Sequence, residues 1–267
     1  MNELAVAARA LRHAARVAWQ DFHAQWTWGA WFGAYVPRLF FQVVYFAIVG
    51  ELLHSPGRTV FLAVGNSLVV GPMITMLAVQ ATVYERWAGT VPLLVAAPTS
   101  PLLVFAGRSV EWLVQGAGTS LLVFAVMLPV FHVPAPLPAS LWLVPLVLLT
   151  CTSTYAFAIF LGGLVLRAPG ARNLVSTTAS MVVMTLAGVN VPVTFFPAPV
   201  AAAAQLLPVT HGLSAIRGLL SAAPAPEVAL QAVTEALVGS GWLMVALLTF
   251  QRLLDGSRST GSLDLDG

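Results

Sequence analysis

The sequence predicts an all-α membrane protein: six transmembrane helices, an N-terminal amphipathic interfacial helix, and short re-entrant helices between spans five and six. Composition and segment length predict it. Of 267 residues, 58% are hydrophobic and 8% charged, with a mean hydropathy of +0.87. A soluble domain carries about a quarter charged residues. The apolar residues also gather into segments of about 20, the length a hydrocarbon core of about 30 Å demands of a helix. Bare backbone in lipid has no water to bond, so spans of this kind are expected to be helices.

The elements follow in order. Residues 1–30 form the amphipathic segment, with Leu4, Leu11, Ala15, Ala18, Phe22 and Trp26 on one helical stripe and Arg9, Arg12, Arg16, Gln20 and His23 on another. Trp19, Trp26, Trp28 and Trp31 suit headgroup depth. No small-residue cleavage site follows an apolar run here, so no removable leader is expected. The main domain is 31–254. Its spans are expected near Trp31–Leu53, Thr59–Thr82, Val110–Phe131, Leu141–Leu166, Leu174–Phe195 and Val233–Leu254. The tail 255–267 is small and polar and is read as disordered.

Between the fifth and sixth spans the chain is apolar yet broken by Pro192, Pro197, Pro199, Pro208, Pro224 and Pro226. Proline interrupts helix, so two short helices near Ala198–Leu207 and His211–Ser221, dipping into the outer leaflet, fit better than a further straight span. Arginine sets the orientation. With a cytoplasmic N-terminus, Arg9, Arg12, Arg16, Arg86, Arg108, Arg167, Arg172, Arg252 and Arg258 lie inside and only Arg58 and Arg217 outside, which places both termini in the cytoplasm. Arg38, early in the first span, is read as snorkelling or structurally paired.

Several function classes are excluded or disfavoured. The arginines form no run that could track phosphates, so nucleic acid is not an expected partner. Cys151 is the single cysteine, and His13, His23, His54, His132 and His211 are too scattered for a metal site on one helix face. The chain has no G-x-S-x-G elbow, no H-E-x-x-H and no phosphate-binding loop. An enzyme would need a pair such as Ser153 with a histidine, and no histidine falls in the fourth span. Ion coupling would need a titratable residue within the bundle. Glu51 and Glu235 are expected at the outer interface, and Glu111 at the inner one beside Arg108.

One polar break stands apart. After Thr82 come Tyr84, Glu85, Arg86 and Trp87, then Gly89 and Thr90, then an apolar step from Val91 to Ala97 with Leu93 and Leu94, closed by Pro98. Such a helix could dock its apolar side in a groove on a soluble partner, or lie in the interface with no partner at all.

The stretch YERWAGTVPLLVAAPTSPLLVFAGRS resembles the first cytoplasmic loop of ABC-2 type permeases. GVNVPVTFFPAPVAAAAQLLPVTHGLSAIRGLL is similar to that family's segment after the fifth span. The resemblance, to daunorubicin-resistance-like and nodulation-factor-exporter-like membrane subunits, implies that residues 83–98 form a coupling helix on a separate ATPase. Glu85 and Arg86 would make its polar contacts, Gly89 to Leu94, with Thr90 and Leu93 among them, would fill the groove, and Pro98 would end the helix. Pro92 departs from the family's acidic residue at that place. The resemblance makes 1–30 the connecting helix and 196–222 the re-entrant segment, with Pro197, Pro208, His211 and Arg217 at its outer surface. It further implies a pair of permease subunits, identical or related, in a bacterial cytoplasmic membrane. Two ATPase subunits would carry ATP and Mg, and this chain would hold no cofactor of its own. A route for a drug, antibiotic or lipid-like cargo would pass Phe40, Phe41, Tyr45, Met181, Met184 and Thr185, side chains that equally suit packing. Export of polysaccharide or glycolipid is the second reading, and an ion-coupled carrier the third.

Overall fold

The computed structural model describes residues 12–17, 36–52, 54–80, 101–133, 139–166 and 168–260, together with positions 19, 20, 27, 29, 33 and 135. Among them it is all-helical. The elements are α1 (Val36–Leu52), α2 (Pro56–Thr75), α3 (Pro101–Val130), α4 (Leu143–Val165), α5 (Arg172–Leu186), α6 (Ala198–Ala204), α7 (Thr210–Leu220) and α8 (Ala225–Thr260). Four stretches are long and apolar enough to cross a membrane: Pro56–Gln80, Leu102–Val130, Ser140–Val165 and Ala225–Arg252. That composition and length suit a multi-pass membrane protein.

Four of the expected spans fall on α2, α3, α4 and α8, with shifted bounds, whereas the expected first and fifth fall on α1 and α5, which are shorter than the four candidate spans. α3 and α8 start earlier than hydropathy suggests because Pro101, Pro224 and Pro226 stand at or before a first turn, where a missing donor costs nothing. α8 also runs on to Thr260, into the tail read as disordered. α5 is shorter than expected, 15 residues, and closes at Leu186. Gly188 follows with φ +83, and the chain turns away before Pro192. α1 spans 17 residues. Within the N-terminal segment, residues 12–17 are helical; Arg12 and Arg16 are exposed and Ala15 half-buried, while the buried residue is Ala14, which the expected apolar stripe does not include.

The centre of the fold is α2, packed against α1, α3 and α4. Its contact with α3 is built from small residues. A Cβ on Gly116 would stand 2.5 Å from both the Gly71 carbonyl and Thr75 Oγ1, so only glycine admits this approach. The same seam lets Ser120 donate to the Ser67 carbonyl at 2.9 Å. Close packing and short cross-helix hydrogen bonds are what hold helices together when lipid removes the hydrophobic drive. α4 adds Tyr155, whose hydroxyl donates to the Ala106 carbonyl and lies 2.8 Å from Ser109 Oγ. α8 packs on α4 through Trp242, which stacks with Phe157 and Phe160 at 4.5 and 5.2 Å.

Candidate functional site

At the end of the bundle where α2 begins and α3 and α5 finish, the chain between α5 and α8 folds over the helices. Sequence placed two short helices there, and α6 and α7 occupy those places. Pro197 caps α6, its carbonyl accepting from the amides of Val200 and Ala201 at 2.9 Å each. α7 begins after Pro208 at Val209, a β-branched residue held at φ +84, where such side chains rarely sit.

Glu235 of α8 holds that strained start in place. It is fully buried, about 15 Å along α8 from Ala225 at 1.5 Å per residue. One carboxylate oxygen accepts the Val209 amide at 3.0 Å and the other the Gly212 amide at 2.9 Å. These are the two amides that a capping box satisfies with two local side chains. Here one carboxylate from another helix satisfies both, and its charge faces the positive end of the α7 dipole. Glu235, expected at the outer interface, is thus enclosed by the chain itself. A buried acid is stable there because helix α7 begins directly against it. Glu51, by contrast, is exposed.

Three further ties fasten the segment. Thr210 Oγ1 donates to the Ala204 carbonyl at 2.7 Å, and Trp242 Nε1 donates to the Leu206 carbonyl at 2.8 Å. His211 bridges both sides, with Nδ1 2.9 Å from the Gln231 side-chain oxygen and Nε2 3.2 Å from the Gln205 carbonyl.

Arg217, in the last turn of α7, reaches the other way. Nη1 donates to the Gly188 carbonyl at 2.8 Å, and Nη2 donates to those of Phe61 and Val189 at 3.0 Å each. Its guanidinium also lies 3.5 Å from the centroid of the Phe61 ring. The cation thus collects the free carbonyls that follow α5 and binds them to α2. Gly65 makes the approach possible, since a Cβ there would collide with the Val189 carbonyl and stand 2.8 Å from Arg217 Nη2. One turn-neighbour away, Asn66 donates to Asn190 Oδ1 at 2.8 Å and to the Leu62 carbonyl at 3.0 Å. Both ring nitrogens of His211 and both terminal nitrogens of Arg217 are therefore engaged within the chain, while Arg217 Nε is buried without a hydrogen-bond partner.

The other predicted residues fare differently. Glu85, Arg86, Gly89, Thr90, Leu93, Leu94 and Pro98 lie outside the described residues. On α1, Phe40 packs towards Val43, Val70 and Met127, whereas Phe41 and Tyr45 are about two-thirds exposed. On α5, Met181 and Thr185 are exposed and Met184 half-buried. α1 packs chiefly on α2 and α5 chiefly on α4, so the two groups of the expected route stand on helices whose main packing partners differ.

Sequence reading missed Glu235 as an anchor, together with Asn66, Asn190, Phe61 and Gly65. A lone acid well inside an apolar run was the available signal for the first. The rest depend on which turns of α2 meet the link after α5, which periodicity does not encode. Ser153 is buried beside Gly239. Among the described residues no three His, Cys, Asp or Glu side chains gather where they could hold a metal ion. The arrangement binds backbone to backbone: it is suited to holding a pair of short helices rigidly over the bundle. No protein-family model matches the chain, and no curated protein matches it.

Proposed function

We propose that the chain is the membrane-spanning permease subunit of an ATP-driven ABC-2 type exporter, moving a hydrophobic or amphipathic small molecule out of a bacterial cell. What supports this is the coincidence of the fastened α6–α7 pair with the segment that resembles the family, Pro197 to Leu220. In this reading α1 and α5 are the remaining two of six spans, both termini are cytoplasmic, and α6 and α7 lie at the outer surface.

The permease pairs with a second copy or a related chain. The exposed side chains on α1 and α5 are the faces available for that pairing: Phe41, Tyr45 and Leu52 on one, Leu174 and Met181 on the other. The pairing would bring together the two groups of the expected route. ATP and Mg bind on two partner ATPases, and residues 83–98 carry their closure into the spans. Glu235 bears on the ion-coupled alternative. Both its oxygens accept backbone amides, which accounts for this buried acid by a structural role without ion coupling.

Glu85→Arg and Gly89→Trp test the reading. Each is expected to leave membrane insertion intact and ATP hydrolysis running while export is lost. Wild-type export by both variants would sink the proposal.

A further inference from the structure

A second feature lies at the same end of the bundle but away from α7. The ends of α1 and α3 and the start of α2 line an open cleft of about 1010 Å³. That is the upper part of the range for small-molecule sites, about 300–1,000 Å³. Leu52, Val130 and Phe131 give it an apolar and aromatic side, and Glu51, His54 and His132 a polar one. Glu51 is the single formally charged side chain in the lining. His54 and His132 both stand at φ +50 where their helices end, a left-handed conformation uncommon outside glycine. The polar groups are spread around the cleft: no trio of His, Cys, Asp or Glu among the described residues closes on an ion. The space and its single negative charge therefore match an organic cation, not a metal.

We propose that this cleft binds an amphipathic amine, its ammonium paired with Glu51 and its apolar body laid along Leu52, Val130 and Phe131. A carboxylate and an ammonium form a charge-assisted hydrogen bond, the stronger class of such bonds. A ring nitrogen of His54 and one of His132 supply acceptors for the remaining N–H groups. Two sources carry this chemistry, the headgroup of an aminophospholipid and a free amphipathic amine. Binding requires neither an ATPase nor transport, so it stands or falls separately from the exporter reading.

The test uses the full chain in dodecyl maltoside micelles, titrated with the fluorescent amine monodansylcadaverine and followed by fluorescence polarisation. Wild type is expected to bind saturably. Glu51→Gln should weaken binding by about tenfold, the loss of one charge-assisted bond, and Glu51→Asp should retain most of it. Val130→Trp, which fills the cleft from its apolar side and leaves Glu51 intact, should also abolish it. Displacement by short-chain phosphatidylethanolamine but not phosphatidylglycerol would identify a lipid occupant. Failure of both lipids to compete would identify a free amine, and either outcome upholds the site. Equal affinity in wild type and Glu51→Gln, or no saturable binding by wild type, would overturn it.

Discussion

Helices α2 and α8 are nearly equal in apolar character, with mean hydropathy 1.9 and 1.6 in their candidate spans, yet their surroundings differ sharply. Within the chain 78% of the α2 stretch is buried and 22% of the α8 stretch. The residues explain why. α2 places Gly65, Asn66, Ser67, Gly71 and Thr75 against its neighbours, small or hydrogen-bonding groups that let backbones approach. α8 turns Leu230, Val233, Leu237 and Met244 outward and keeps one line of contact, through Glu235, Gly239, Trp242, Ala246 and Phe250. In a membrane, then, hydrophobicity marks what faces lipid or another subunit, and small and polar residues mark the interior.

The difference can be attacked from its largest expected effect downward. Gly65→Leu or Gly116→Leu forces a side chain into backbone atoms, and an overpacking cost of about 3 kcal/mol or more is expected to prevent folding. Loss of the monodisperse peak on size exclusion in detergent checks it. Glu235→Ala strands two buried amides at about 1–3 kcal/mol each, so thermal melting in detergent should fall steeply. Glu235→Gln, which keeps one acceptor oxygen, should fall between that variant and wild type. Ser120→Ala removes one cross-helix bond in the α2–α3 seam and is expected to cost about 1 kcal/mol. At the small end, Leu237→Ala on the exposed face of α8 should change stability by no more than about 0.5 kcal/mol. A larger loss there would mean that another chain covers α8.

The helical class and the positions of α6 and α7 were legible in the sequence, because hydropathy reports lipid contact and proline reports where a helix must stop. Bounds were less so. Pro224 and Pro226 read as breaks, yet they stand just before and within the first turn of α8. Glu235 was visible as an acid in an apolar run, but its role depends on Val209 and Gly212, 26 and 23 residues away. Arg217 was noticed as an outer charge. Its partners at Phe61, Gly188 and Val189 come from helix packing that no local pattern contains.

The central claim is that transport by this chain is driven by ATP bound to a separate subunit. The direct measurement is accumulation of a fluorescent hydrophobic drug in everted membrane vesicles containing the chain with and without a co-expressed ABC ATPase, with ATP and the proton gradient varied separately. Accumulation should require the ATPase and hydrolysable ATP, survive collapse of the proton gradient, and disappear with Glu85→Arg. Accumulation that persists without any ATPase and stops when the gradient collapses would contradict the account.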